Sequence, residues 1–148
     1  MSTEESVAIV KKLYDLWNDR DLDGALDLAT DDVEVRLVAL GQTLTGREGF
    51  RRFMERFAIA SSDMKKDVTN QIASDEQVVS EFTLKGTHDG SLRTQAGEIP
   101  STGRSIELEV VEVVSIRDGK VASITNYSDT STLMRQLDRP EGQVPRAR

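Results

Sequence analysis

The sequence contains no cysteine and only one histidine among its 148 residues. Without cysteine there are no disulfides and no thiolate metal sites, and a single histidine excludes a zinc site built from several imidazoles. Cysteine-free chains fit a reducing compartment. We therefore expect a cytoplasmic protein without a metal site.

Positive charge is also scarce, since 19 Lys and Arg residues stand against 26 Asp and Glu residues and give a net charge of -7. The basic residues are scattered, whereas binding to a phosphate backbone needs a concentrated cationic surface. Long apolar runs are absent, and the acidic segment Met1–Glu5 leads into an amphipathic pattern. We expect neither nucleic acid nor a membrane as a partner, and no signal peptide.

Proline is rare, and two of the three prolines fall in residues 139–148, which carry almost no apolar side chains. Such a segment cannot bury enough apolar surface to offset the cost of ordering it. We predict that residues 1–138 form a single domain, a length that is sufficient for its own core. Residues 139–148 are predicted to be a flexible tail.

Helical spacing dominates the first part of the chain. Ser2 and Glu5 have the spacing of a capping box, and the apolar residues that follow recur at intervals of three and four. Asp21 can cap a short second helix. Thr45 and Glu48 repeat the capping-box spacing before a third apolar stripe. The members of the first stripe are Val10, Leu13, Tyr14 and Trp17.

After the third helix the apolar residues alternate with polar ones, as in half-buried strands. The predicted long strands cover residues 65–73, 77–88, 105–117 and 120–129. Helices followed by strands indicate an α+β domain, in which a curved antiparallel sheet wraps around three N-terminal helices and encloses an apolar pocket. The long loop 92–102 is a candidate lid or rim of that pocket.

The single histidine, His88, closes one of these strands. Alternation places it on the same face as Val78, Phe82 and Leu84, which should be the buried face. Imidazole is the side chain whose ordinary pKa lies nearest neutrality, so His88 is a candidate proton donor or acceptor. The alternative is a polar residue at a strand end that bonds to its neighbours or faces solvent.

Two further polar residues interrupt apolar strand faces. Glu112 lies in a row of aliphatic residues, and a buried carboxylate is costly unless it is paired or faces a cavity. A β-bulge that turns Glu112 to solvent is the alternative. Asn70 shares a face with Val68 and Ile72, and either faces the cavity or bonds to the backbone as an ordinary core amide.

The last strand ends with another candidate acid. Strict alternation places five residues on one face, namely Val121, Ser123, Thr125, Tyr127 and Asp129. A carboxyl group in an apolar cavity can exchange protons near neutral pH, because burial disfavours its charged form. Asp129 could also cap a short terminal helix over residues 130–137, and both roles are compatible. Tyr14 and Trp17 are expected to form core or cavity wall, with an inward Tyr14 hydroxyl as the other possibility.

Several segments, taken in order, resemble the SnoaL-like polyketide cyclases of the nuclear transport factor 2-like superfamily, which also includes ketosteroid isomerase-like proteins. The resemblance extends from the first helix to Leu137. Its segments are Trp17-Asn18-Asp19-Arg20-Asp21, Thr45-Gly46-Arg47-Glu48, Gly86-Thr87-His88-Asp89-Gly90, Ile99-Pro100-Ser101-Thr102-Gly103-Arg104, Arg117-Asp118-Gly119-Lys120-Val121, and Tyr127-Ser128-Asp129 running into Leu133-Met134-Arg135-Gln136-Leu137.

The resemblance implies a cone-shaped domain with an apolar cavity, dimeric through the outer face of its sheet. In the cyclases an aspartate at the position of Asp129 is the acid and base of an intramolecular aldol ring closure, with the histidine matched by His88 nearby and no cofactor. Glu112 falls where many relatives carry an acidic residue. The chain departs from the cyclases at Thr125-Asn126, where they often have Glu-His.

The leading hypothesis is a cyclase or isomerase that acts on a small, mostly apolar or polycyclic carbonyl compound. Asp129 would move the proton next to the carbonyl, and His88 or Tyr127 would donate to the enolate oxygen. With water held by Asn70 and Glu112, an epoxide hydrolase-like or dehydratase-like activity is a further alternative. A non-catalytic ligand-binding or dimerisation module of the same fold is the remaining one. Convergence of Asp129, His88 and Glu112 in one pocket would favour catalysis.

Overall fold

The structure, a computed structural model, describes residues 2–138. The predicted tail, 139–148, lies outside the described residues. The helices are α1 (Thr3–Asn18), α2 (Leu22–Leu26), α3 (Gly46–Ala60) and α4 (Thr130–Gln136), with a 3₁₀ turn at Val38–Leu40. The strands are β1 (Ala29–Leu37), β2 (Gln42–Thr45), β3 (Lys65–Ser74), β4 (Gln77–Thr87), β5 (Leu92–Thr94), β6 (Gly97–Ile99), β7 (Ser105–Arg117) and β8 (Lys120–Tyr127).

Six strands form one sheet in the order β2-β1-β8-β7-β4-β3. Short hairpin turns join β3 to β4 and β7 to β8, and β4 also pairs antiparallel with β7. At the turn between β7 and β8, Asp118 and Gly119 both have positive φ, of 53° and 78°, as a type I′ turn requires. The expected all-antiparallel sheet is corrected at one place, because β1 and β8 pair in parallel. No hairpin joins these two strands, so no turn imposes antiparallel pairing on them.

The helices begin and pack largely as predicted. The Ser2 hydroxyl accepts from the Glu5 amide at 3.1 Å and the Glu5 carboxylate accepts from the Ser2 amide at 3.1 Å, which completes the capping box of α1. The predicted α1 stripe is buried. Trp17 Nε1 donates to the Met54 carbonyl at 3.0 Å and ties α1 to α3. Thr45 precedes α3 but makes no side-chain capping bond, since it is also the last residue of β2.

The concave face of the sheet covers the helices, and the core lies between them. On β7 every second residue is buried, from Ile106 to Ile116, and Glu112 lies in that row. The α+β architecture with a curved sheet around N-terminal helices is confirmed. The expected loop 92–102 instead contains the hairpin of β5 and β6. Within residues 2–138, no helix combines the length and the apolar character needed to cross a membrane.

Candidate active site

A small cavity lies between α1, α3 and the concave face of the sheet. Its volume of about 40 Å³ has room for roughly three water molecules. The wall is mostly aromatic and aliphatic, with five polar side chains and the indole of Trp17 among its members. The lining residues are Trp17, Leu37, Phe53, Met54, Arg56, Phe57, Lys66, Phe82, Leu84, Leu108, Val110, Glu112, Asn126 and Ser128.

The carboxylate of Glu112 is the acidic group of this cavity, and its residue is 1% exposed. The Tyr14 hydroxyl donates to Oε1 at 3.0 Å and Asn126 Nδ2 donates to Oε2 at 2.8 Å. The two carboxylate oxygens are therefore held by α1, on the concave side of the sheet, and by β8, the strand that pairs with β7. Two hydrogen bonds fix the orientation of a carboxylate that would otherwise be costly to bury.

Tyr14 serves as a hydrogen-bond donor rather than as an acid. Burial raises the pKa of Tyr14 well above its ordinary value, and the negative charge of Glu112 raises it further. The phenol therefore keeps its proton at neutral pH. Its ring packs against Phe82 with centroids 5.2 Å apart, which holds the hydroxyl in place.

Lys66 brings a positive charge to the same cavity. Its Nζ lies 5.0 Å from the ring centroid of Tyr14, 4.7 Å from that of Trp17 and 5.3 Å from that of Phe82. Aromatic faces at such distances stabilise an ammonium group. Burial lowers the pKa of Lys66, the charge of Glu112 raises it and the charge of Arg20 lowers it. The cavity thus holds a carboxylate and an amine within an aromatic wall.

A β-bulge decides which residues of β8 face this cavity. Ile116 pairs with Val121 but Ser115 pairs with Ser123, so Ala122 is the extra residue. One extra residue reverses the alternation beyond it. As a result Asn126 and Ser128 line the cavity, while Tyr127 is 43% exposed. The prediction that Tyr127 and Asp129 lie on the inward face of the strand is therefore wrong, because the bulge reverses the alternation.

Asp129 lies outside the cavity and is exposed. Its carboxylate accepts from the Thr132 amide at 3.1 Å and from the Thr132 hydroxyl at 2.7 Å, so it caps α4. These two bonds lower the pKa of Asp129, the hydroxyl contributing most. Of the two roles considered, the structure shows the cap.

His88 is fully buried but does not belong to the lining of the cavity. Its Nδ1 lies 2.8 Å from the Thr102 hydroxyl and accepts from the Thr102 amide at 3.2 Å. Its own backbone amide donates to the Arg104 carbonyl at 2.8 Å. His88 therefore joins the end of β4 to the segment before β7. The expectation that Asp129 and His88 share one cavity is corrected.

The other predicted residues divide between the two faces of the sheet. Asn70 is exposed, because a bulge between Val68 and Asn70 turns it outward, and its Nδ2 donates to Glu81 at 2.8 Å. Trp17 lines the cavity, and Tyr14 reaches it with its hydroxyl. The structure therefore brings together Glu112, Tyr14 and Trp17, but not Asn70, Tyr127, Asp129 or His88.

Sequence reasoning missed four polar cavity residues, Arg56, Lys66, Asn126 and Ser128. Lys66 precedes Val68 by two residues on the same strand, so alternation predicts that both lie on the inner face. Asn126 has the alternation of Ile124, but its burial depends on the bulge at Ala122, which leaves no clear mark in the sequence.

The fold is that of an α+β domain in which helices and a curved sheet enclose a small cavity. The chain belongs to the SnoaL-like polyketide cyclase family, whose sequence model matches residues 7–137. A search of curated proteins gave no significant match.

Solved structures with similar folds include three of different descriptions. A provisionally assigned SnoaL-like polyketide cyclase from Jannaschia sp. CCS1 superposes with a TM-score of 0.80 at 20% identity, covering 93% of this chain and 94% of the other. AclR, a provisionally assigned hydroxylase from Streptomyces galilaeus, has a TM-score of 0.80 at 22% identity, with 97% and 87% covered.

The third is a hypothetical protein with a ketosteroid isomerase-like fold from Catenulispora acidiphila DSM 44928, in complex with trimethylamine. Its TM-score is 0.75 at 18% identity, and 93% of this chain and 97% of that chain are covered. At these identities the likeness concerns the fold.

Proposed function

We propose that this protein is an enzyme of the cyclase or isomerase type that moves a proton next to the carbonyl group of a small, mostly apolar compound. One observation carries the proposal: a buried carboxylate, Glu112, and an amine, Lys66, line the same aromatic cavity. A carboxylate removes such a proton, and a nearby cation stabilises the enolate oxygen that results. Membership of the cyclase family supports the same reaction class.

In this mechanism Glu112 takes the proton from the carbon next to the carbonyl, and the electrons of that C–H bond move through the new C=C bond to the oxygen. Lys66 as an ammonium faces the developing oxyanion. Tyr14 and Asn126 are positioning residues that hold the carboxylate. In ring closure the enolate carbon bonds to a second carbonyl carbon, whose oxygen takes a proton, whereas in isomerisation the proton returns to another carbon.

The proposal assigns the proton transfer to Glu112 in place of Asp129. The Asp129 carboxylate is exposed to solvent and accepts two hydrogen bonds from Thr132. It therefore lacks the apolar surroundings that promote proton exchange. Asn70, which the epoxide hydrolase-like alternative required inside the cavity, is exposed. A ligand-binding module without catalysis is the competing function that the experiment must distinguish.

The test follows the first chemical step, which ring closure and isomerisation share. Acetone in D₂O exchanges its α-protons for deuterium when a base forms the enolate, and ¹H NMR measures the rate. We expect the wild-type protein to accelerate exchange and Glu112→Gln to lower that acceleration by roughly 10²-fold or more.

Asp129→Asn is the matched control, because asparagine is also a good N-cap and the exchange should continue at the wild-type rate. Circular dichroism checks that both variants are folded. No acceleration by the wild-type protein would favour the binding module. Equal rates for wild type and Glu112→Gln would remove Glu112 from the mechanism.

A further inference from the structure

A larger groove lies on the outside of the molecule, next to the cavity. Its volume of about 400 Å³ falls in the range of pockets that hold small organic ligands, roughly 300–1,000 Å³. The walls are α3, the 3₁₀ turn at Val38–Leu40 with the start of β2, and the β5–β6 hairpin. Gln95, at the tip of the hairpin, donates to the Leu40 carbonyl and connects two of these walls.

The groove and the inner cavity share three lining residues, Leu37, Phe53 and Arg56. These side chains therefore form the partition between the two spaces. The inner cavity of about 40 Å³ cannot hold a ring system, whereas the groove can. A ligand whose reactive end reaches Glu112 must have its remaining part in the groove, in contact with this partition.

Arg56 gives the partition a positive charge. Its Nε donates to the Arg93 carbonyl at 3.0 Å, and its guanidinium carbon lies 4.9 Å from the ring centroid of Phe57. Within residues 2–138 no carboxylate lies within ion-pair distance of it. Burial lowers the pKa of Arg56 to about 10, so it remains a cation at neutral pH. Its terminal nitrogens are thus available as donors.

The other charged residues of the groove do not neutralise the positive charge of Arg56. Arg93 Nε lies 4.0 Å from Glu98, which also accepts from Ser91 at 3.1 Å. Arg52 and Glu55 line the groove as well. With three arginines against two glutamates, the groove has an excess of positive charge. This excess is notable in a chain whose net charge is -7.

We propose that the groove binds the anionic end, such as a carboxylate, of a ring-containing ligand through Arg56. A guanidinium presents a planar pair of donors that matches a carboxylate, and the aromatic and aliphatic partition suits a ring. Joined to the proposed function, on which this step rests, the substrate is a carbonyl compound that also carries an acid group. The acid lies at Arg56 and the carbonyl at Glu112 and Lys66.

Two probes of nearly equal shape test the charge preference. Isothermal titration calorimetry compares 2-naphthoate, which is anionic, with 2-naphthamide, which is neutral. We expect the wild-type protein to bind naphthoate roughly tenfold or more tightly than naphthamide, as a charge-assisted hydrogen bond implies. Arg56→Met should remove this preference, and Arg56→Lys should keep part of it.

Arg52→Met is the matched control, since it removes a positive charge from the same groove and should retain most of the preference. Equal dissociation constants for the two probes, no binding of either, or an undiminished preference in Arg56→Met would each overturn the proposal. Glu112→Gln should still prefer naphthoate. A wild-type protein that prefers naphthoate but does not accelerate α-proton exchange would therefore argue against the proposed function alone, and one that accelerates exchange without the preference would argue against the groove alone.

Discussion

At the level of single residues, the cavity is built around the problem of burying Glu112. Its carboxylate receives hydrogen bonds from Tyr14 and Asn126, and the cations Lys66 and Arg56 line the same cavity. A buried carboxylate and ammonium that compensate each other are often neutral in net stability, whereas a lone member is strongly destabilising. The pair therefore contributes little net stability to the fold. Its presence in the core is consistent with a chemical role.

Removal of Lys66 alone tests whether the charges of Glu112 and Lys66 compensate each other. We expect Lys66→Met to lower the free energy of unfolding by about 3 kcal/mol, because it removes a buried positive charge that compensates the buried carboxylate of Glu112. In the Glu112→Gln background the same substitution should cost less, with a coupling of about 1–3 kcal/mol. Urea denaturation of the four proteins measures the cycle. If the effects of the two substitutions on the free energy of unfolding are additive, the charges of Lys66 and Glu112 do not interact.

At the level of secondary structure elements, two bulges explain which strand residues alternation placed on the wrong face of the sheet. The caps of α1 and α2, the apolar stripes and the positions of the long strands were predictable, because each depends on residues close in sequence. Of the two placements considered for Glu112, the structure has the inward one, since β7 alternates without interruption. The bulges at Ala122 and after Val68 arise from pairing with distant strands, so strict alternation misplaced Asn70, Tyr127 and Asp129.

Deletion of Ala122 tests the bulge directly. Without the extra residue, either Ile124 and Asn126 turn away from the core or the strand must slide along its partners. We expect a loss of about 3 kcal/mol or more, as for removal of a buried aliphatic side chain. The urea midpoint measures it, and Ala122→Ser, which keeps the chain length, is the control that should change little. An unchanged midpoint in the deletion variant would show that the bulge does not set the register.

At the level of the whole molecule, the curved sheet has two faces with different tasks. The concave face encloses the cavity. The convex face carries outward side chains from four neighbouring strands. One row crosses them as Ile72, Val79, Val113 and Thr125, and in the next row Val111 pairs with Tyr127 on one side and with Glu81 on the other. Ile72 and Tyr127 are 64% and 43% exposed. An aligned apolar row of this kind on a sheet face is typical of a surface that another protein covers.

We expect this row to form the interface of a homodimer, related by a twofold axis that brings the same row of each chain together. Light scattering coupled to size exclusion at micromolar concentration should give twice the chain mass of 16.4 kDa. Val113→Lys places a charge in the middle of the row and should yield a monomer, because an unpaired charge in an apolar interface is costly. Ser105→Lys, at the exposed start of the same strand, should leave the dimer intact. The Tyr14, Lys66 and Glu112 groups lie on the concave side, so the Val113→Lys monomer should keep the α-proton exchange of the wild type. A wild-type mass of a single chain would mean that the convex row stays exposed and that the protein acts as a monomer.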